Sequence, residues 1–253
     1  MPDQDKLDQA VAKAAEDGRF TKEEMKALNE QVKKLKDVNL NLAYARQAVA
    51  FMKLKMKLVA NWDQQLDTSA EAIGDKILQQ TGDRDRARAV SERAWDKADQ
   101  CVYGQLRQTP EWQRIDAKGG VESLRDIQTL ARLVDANGCG NCGEMAARTF
   151  IYLFNLNIRP LDYYALNPEA DHAFVVIGRV GGDDKDWRTW GKTAVVCDPW
   201  AFGLLIPMPP GVQGATWRLG DNYAAYPADL LGDKMKTMFP KDFREVFLQY
   251  REK

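Results

Sequence analysis

The sequence predicts an α+β fold: a helical amino-terminal region, then a core in which one buried helix packs on a small antiparallel sheet. Residues 1 to about 130 carry apolar side chains at helix-like intervals, with helix-capping signals between the runs. After Cys142 the pattern changes to a single buried helix and three short runs rich in β-branched and aromatic residues. We therefore divide the chain into a helical region, 1–130, and a core, 131–253.

The helical region is expected to contain a series of helices with recognisable start and stop signals. Thr21 and Glu24 have the spacing of a capping box, in which each side chain bonds to the other's backbone N–H group. Thr109 precedes Pro110, and proline is favoured at the first helical position. The predicted helices cover residues 21–37, 40–59, 68–82, 84–107, 109–120 and 121–134.

The core is expected to begin with a buried helix over 143–156, where apolar residues recur at threes and fours. The predicted strands that follow it are 161–166, 172–180 and 193–198. The polar loop GGDDKDWRTWGK joins the second and third strands as a long hairpin connection. A last helix is predicted from Asp242 to Tyr250.

Charge and composition exclude several classes of protein. The 36 lysines and arginines nearly cancel the 37 aspartates and glutamates, so the overall charge favours neither nucleic acid nor an anionic membrane as partner. No run approaches eighteen apolar residues, and the polar start MPDQDKLDQ predicts cytoplasmic synthesis without a cleavable signal peptide. Four cysteines are too few for a disulfide scaffold, and we expect Cys101 to be a small buried hydrophobic residue.

Three short motifs after residue 138 carry the chemical signal: GNCGEMA, DHAF and CDPW. The first places Cys142 at a helix start, where free backbone N–H groups and the helix dipole stabilise a thiolate. Glycines on both sides of Asn141-Cys142, Gly140 among them, permit a sharp turn and close approach of a substrate backbone. Glu144 is expected to be a partner of the helix dipole in the first turn.

The second and third motifs supply a base and a carboxylate. His172, the only histidine of the chain, begins a predicted strand, and Asp198 ends the next one. A symmetric hairpin centred on Lys185 sets these two side chains opposite each other, within hydrogen-bonding reach. A carboxylate there would fix the imidazole tautomer and stabilise its cationic form. Trp200 could shield the pair from water or simply pack in the core.

Together these motifs resemble the transglutaminase-like branch of the papain-like cysteine enzymes, over roughly residues 138–200. Within that branch the chain is similar to compact bacterial effectors that are proteases or glutamine deamidases. The resemblance implies that Cys142 is the nucleophile, His172 the general base and acid, and Asp198 the orienting carboxylate, in a papain/transglutaminase-like core. Asn137 or Asn141 could complete an oxyanion site beside the backbone N–H of Cys142.

The resemblance also implies an activity and a setting. The expected reaction is hydrolysis of amides in protein substrates through a thioester, as a cysteine protease, with glutamine deamidation or transamidation as the alternative. Neither metal nor cofactor is implied. The substrate is expected to be a protein, and the similarity to effectors implies a host protein reached through a specialised secretion system. The helical region would recognise a partner, pack on the core or serve export.

Two further interpretations of the cysteines stay open in the sequence. Cys139, Cys142, Cys197 and His172 have the composition of a Cys₃His zinc site. A core held together by such a zinc ion, or by a disulfide, would be a structural module of a non-enzymatic interaction protein. Cys139 and Cys142 also have the C-x-x-C spacing of a redox pair, although that motif usually follows a strand in a βαβ unit.

Overall fold

The computed structural model describes residues 2–52, 56, 58–60, 76–166, 172–203, 224–232 and 246–253. Parts of three predicted helices lie outside these described residues: 53–55 with 57, 68–75, and 242–245. Within the described ranges, no helix is both long and apolar enough to cross a membrane.

Helices dominate the described residues before Gly138, as predicted for the region 1–130. The helices are α1 Pro2–Ala14, α2 Lys22–Val32, α3 Leu40–Ala50, α4 Arg84–Asp99, α5 Pro110–Ala117, α6 Leu124–Asn137 and α7 Cys142–Asn155. A further helical stretch covers residues 76–81. Between α4 and α5 the chain continues as a π-helical turn, Gln100–Gln105, and a 3-10 turn, Leu106–Gln108.

Side-chain caps explain where two of these helices start. The predicted capping box of α2 is present: the Thr21 N–H donates to Glu24 Oε2 at 2.8 Å, and the Glu24 N–H donates to Thr21 Oγ1 at 3.1 Å. Thr109 caps α5 by accepting from the Trp112 N–H at 3.3 Å, with Pro110 as its first residue.

Two short strands, β1 Val59–Ala60 and β2 Cys139–Gly140, form a parallel pair. The other strands are β3 Leu161–Leu166, β4 Ala173–Ile177, β5 Val195–Cys197, β6 Ala225–Pro227 and β7 Val246–Glu252. These five form a separate antiparallel sheet, in the order β6-β5-β4-β3-β7. The mixed α+β class and the small antiparallel sheet are therefore as predicted.

Two predicted helices were wrong in part. Residues 246–250, expected in the last helix, belong to β7, which pairs with β3. A bulge beside Tyr163 and Tyr164 shifts the register, so the apolar residues of β7 do not keep a regular alternation. The helix predicted to run to residue 59 ends near Ala50, and Val59 lies in β1 instead.

Hydrophobic residues cover both faces of the sheet. Ala173, Val175 and Ile177 of β4 face a large cluster shared with α1, α3 and α7, whereas Phe174 and Val176 face a smaller cluster. Both faces are therefore buried, which explains the nearly continuous apolar sequence of this strand.

The helical region packs directly on the core. Apolar residues of α1 and α3 share one hydrophobic cluster with α7 and the sheet. The Cys197 thiol donates to the Ala45 carbonyl at 3.5 Å, and Gln47 Nε2 donates to Tyr152 Oη at 3.1 Å. Packing on the core is thus one role of this region.

Candidate active site

A tight turn between α6 and α7 presents Cys142. Gly138 closes α6 with φ of 74° and donates its N–H to the Val134 carbonyl at 2.8 Å. A left-handed residue at this position favours glycine, and it redirects the chain into β2. Asn141 is then the N-cap of α7 and Cys142 its first residue. The predicted position of Cys142 at a helix start is confirmed.

A carboxylate fastens this turn. Glu144 Oε2 accepts from the Asn141 N–H at 2.9 Å, and Asn141 Oδ1 accepts from the Cys142 N–H at 2.9 Å. Glu144 is therefore the capping-box partner of Asn141 as well as a first-turn acid. Gly140 packs tightly here, because a Cβ atom on it would lie 2.9 Å from Glu144 Cβ.

His172 and Asp198 form a buried pair. His172 Nε2 lies 2.5 Å from Asp198 Oδ2, and the two residues are 3% and 1% exposed. Burial, the largest influence, lowers the pKa of His172, but the charge and hydrogen bond of Asp198, with smaller contributions from Cys142, together raise that pKa to about 10. The cationic ring is therefore the favoured form at neutral pH.

The thiol completes this group. A hydrogen bond and the charge of Cys142 both contribute to the raised pKa of His172, which places the thiol beside the ring. Nε2 of the ring is engaged by Asp198. Cys142 is 8% exposed. The structure thus brings the three predicted catalytic residues together in the order thiol, imidazole, carboxylate.

The predicted hairpin register was wrong by a small amount. β4 and β5 pair Val175 with Cys197 and Val176 with Val196, which centres the hairpin on Asp186 instead of Lys185. His172 and Asp198 are therefore diagonal neighbours rather than directly opposite. A shift by an even number of residues keeps side chains on the same sheet face, so the two can still meet.

Of the other predicted site residues, some lie beside the thiol and the imidazole and one is held away from them. The Trp200 ring centroid lies 5.0 Å from that of His172, so Trp200 covers the imidazole. Asn141 adjoins the thiol, whereas Asn137 Nδ2 donates to the Leu133 carbonyl at 2.7 Å and is folded back on its own helix. Asn137 is therefore occupied away from the oxyanion role that was considered for it.

A disulfide overturns the expectation for Cys101 and two alternative interpretations of the other cysteines. Cys101 and Cys139 are bonded to each other across 38 residues, so Cys101 is not a free hydrophobic residue. Cys139 is then unavailable to a redox pair with Cys142 or to a Cys₃His zinc site. Cys197 is fully buried, and burial raises the pKa of its thiol well above its usual value. Among the described residues, no group of three or more histidine, cysteine or acidic side chains could hold a metal ion.

Residues of the segment before α6 reach the site, which the sequence did not predict. Arg107 Nε donates to Glu144 Oε1 at 2.9 Å and Nη2 to Oε2 at 3.3 Å, and Trp112 Nε1 donates to Oε1 at 2.7 Å. The Asn-x-x-Glu spacing of Asn141 and Glu144 was a readable capping signal. Nothing in the spacing of Arg107 or Trp112 pointed to this cluster.

The chain matches no protein-family model, no curated protein and no solved structure. The geometry around Cys142 is therefore the basis for assigning a function.

Proposed function

We propose that this protein is a thiol enzyme that hydrolyses amide bonds in protein substrates, with a papain/transglutaminase-like core. The observation that carries the proposal is the chain of contacts from Cys142, at the start of a helix, through His172 to Asp198. A nucleophile bonded to a base that a third group orients is the arrangement shared by enzymes of this class.

The proposed reaction begins from an ion pair, in which His172 already carries the proton that Cys142 Sγ has given up. The thiolate attacks the substrate carbonyl carbon, a C–S bond forms, and the carbonyl electron pair moves to oxygen. When this intermediate collapses, the C–N bond breaks and His172 gives its proton to the departing nitrogen. Water, deprotonated by His172, then attacks the thioester, which releases a carboxylate and returns the thiol.

Asp198 orients the imidazole throughout this reaction. Its carboxylate holds the Nε2 side of the imidazole and stabilises the positive charge that His172 carries after taking the proton. Cys142 is the first residue of α7, and the positive end of the helix dipole there favours the thiolate. The Cys142 N–H could serve the oxyanion only after Asn141 Oδ1, which accepts from it, turns away.

The preferred substrate bond is a main-chain peptide bond, which makes the protein a cysteine protease. Glutamine deamidation or transamidation would use the same steps up to the thioester, with ammonia as the leaving group. A host protein as substrate and delivery by a specialised secretion system complete the proposal. The Cys101–Cys139 disulfide supports a destination outside a reducing cytoplasm.

The test is the pH dependence of iodoacetamide alkylation at Cys142, followed by peptide mass spectrometry. We expect rapid labelling at mildly acidic pH in the parent and its loss in His172→Gln, because only the imidazolium partner maintains a thiolate there. The buried Cys197 serves as an internal control that stays unlabelled while the fold is intact. Identical, ordinary thiol profiles in both proteins would refute the proposal.

Substrate class needs a second readout. A protease yields fragments of a denatured protein mixture, whereas a deamidase leaves chain lengths unchanged and produces a glutamine-to-glutamate mass shift. Cys142→Ala, compared in parallel, must abolish whichever product is found.

A further inference from the structure

Glu144 is the best-connected acidic side chain near the nucleophile. Although only 2% exposed, it accepts hydrogen bonds from Arg107, Trp112 and the Asn141 backbone through both carboxylate oxygens. Burying a carboxylate is costly unless it is paired and hydrogen-bonded, and here every bond ends at the turn that carries Cys142 or at the segment packed over it.

That turn is held from a second side as well. Tyr163 Oη on β3 donates to the Gly143 carbonyl at 3.1 Å. Burial, with the charges of Cys142 and Glu144, raises the pKa of Tyr163 well above its usual value, so this phenol stays a neutral donor. The first turn of α7 is therefore held by a negatively charged side chain, Glu144, and by a neutral one, Tyr163.

The negative charge of Glu144 is a disadvantage for a thiolate, because like charges repel in a partly buried setting. Arg107 removes this disadvantage. Its guanidinium forms a two-bond pair with the carboxylate and also interacts favourably with the charge of Cys142. The ring of Trp112 lies 5.0 Å below the guanidinium carbon and restricts its position.

We infer that Arg107 is a positioning residue for Cys142 that acts through Glu144. This inference rests on the proposed function. By pairing with Glu144, Arg107 keeps the N-terminal turn of α7 fixed and cancels the carboxylate charge beside the thiolate. The disulfide between Cys101 and Cys139 links the segment that carries Arg107 to β2, the strand just before Cys142. Arg107 and the turn that carries Cys142 are therefore held close together by a covalent bond.

The test uses the same alkylation profile with four further proteins. Arg107→Gln removes the guanidinium charge, whereas Arg107→Lys restores a charge without the two-bond geometry. The matched control is Asp135→Asn, which breaks the pair between Asp135 of α6 and Arg148 of α7 at a more exposed place. Trp112→Phe keeps the ion pair and removes one hydrogen bond to Glu144.

We expect the acid limb of Cys142 labelling in Arg107→Gln to move to higher pH by about half a pH unit or more, because Glu144 is left uncompensated. Arg107→Lys should recover most of the shift, and Asp135→Asn should match the parent. A merely structural role would change thermal stability without moving the limb. If Arg107→Gln does not fold, Trp112→Phe replaces it, with a smaller shift in the same direction.

The outcomes separate the two proposals. An unshifted limb in Arg107→Gln, or in Trp112→Phe where that variant replaces it, overturns the positioning role while the enzyme proposal stands. A parent protein without any labelling limb that depends on His172 overturns the enzyme proposal itself.

Discussion

The buried pair of His172 and Asp198 makes the stability of the fold depend on pH. With the pKa of His172 raised from 6.5 to about 10, the pair stabilises the folded state fully below pH 6.5, and this contribution disappears as the pH rises through about 10. Between pH 7 and 9 the loss amounts to about 2 to 3 kcal/mol of unfolding free energy, from the linkage relation. Asp198→Asn removes the carboxylate that raises this pKa, so most of that pH-dependent loss should vanish.

The assay is urea unfolding at pH 7, 8 and 9, followed by circular dichroism, with the slope against denaturant checked for constancy. Other groups titrate in this range, so the quantity of interest is the parent minus Asp198→Asn. His172→Gln should lose the same pH dependence, because it removes the titrating ring itself. An unfolding free energy of Asp198→Asn that falls from pH 7 to 9 as much as that of the parent would refute the reasoning.

Three other predictions concern stability at pH 7 and are measured as urea midpoints. Cys101→Ser with Cys139→Ser should lower the unfolding free energy by about 2 to 4 kcal/mol, because the bond closes a long loop in the unfolded chain. Asp162→Ala should cost about 3 kcal/mol, since buried Arg179 loses the carboxylate that accepts two bonds from it at 3.1 Å and keeps Asp184, at 2.7 Å, as a partner. Thr21→Ala should cost about 1 kcal/mol through the lost capping box.

Each of the three stability predictions has a control. A reducing agent should destabilise the parent but leave the double serine variant unchanged. Glu92→Gln, which breaks the exposed pair with Arg88, should change stability by less than about 0.5 kcal/mol. If Asp162→Ala were equally mild, the burial argument for Arg179 would be wrong. Thr21→Ser, which keeps the hydroxyl, should retain most of the cap energy.

Local signals predicted the helices well because their starts depend on neighbouring residues alone. Thr21 and Thr109 each cap a helix whose first turn lies within three residues. The strand β7 was missed for the opposite reason. Leu248 packs with one hydrophobic cluster and Tyr250 with the other, because the bulge beside β3 breaks the two-residue period. Its conformation is decided by a partner strand about 80 residues earlier in the chain.

The residues of the candidate site also fall into those that local sequence patterns predict and those that only long-range packing brings in. Cys142, His172 and Asp198 could be predicted because each sits at the end of an element whose pattern is local. Arg107 and the disulfide partner of Cys139 could not, because no periodicity links a helical segment to a turn more than thirty residues away. Both are brought in by the packing of the segment between α4 and α5 against the first turn of α7.

The burial of His172 has a spectroscopic consequence, because the chain contains a single histidine. Its ring carbon-bound protons give the only histidine signals in a proton magnetic resonance spectrum, and these come from a ring in contact with Asp198 and Trp200. Any molecule that enters the site should shift these signals without isotope labelling or mutagenesis. The protein therefore carries its own reporter, against which libraries of peptides and amides can be screened directly.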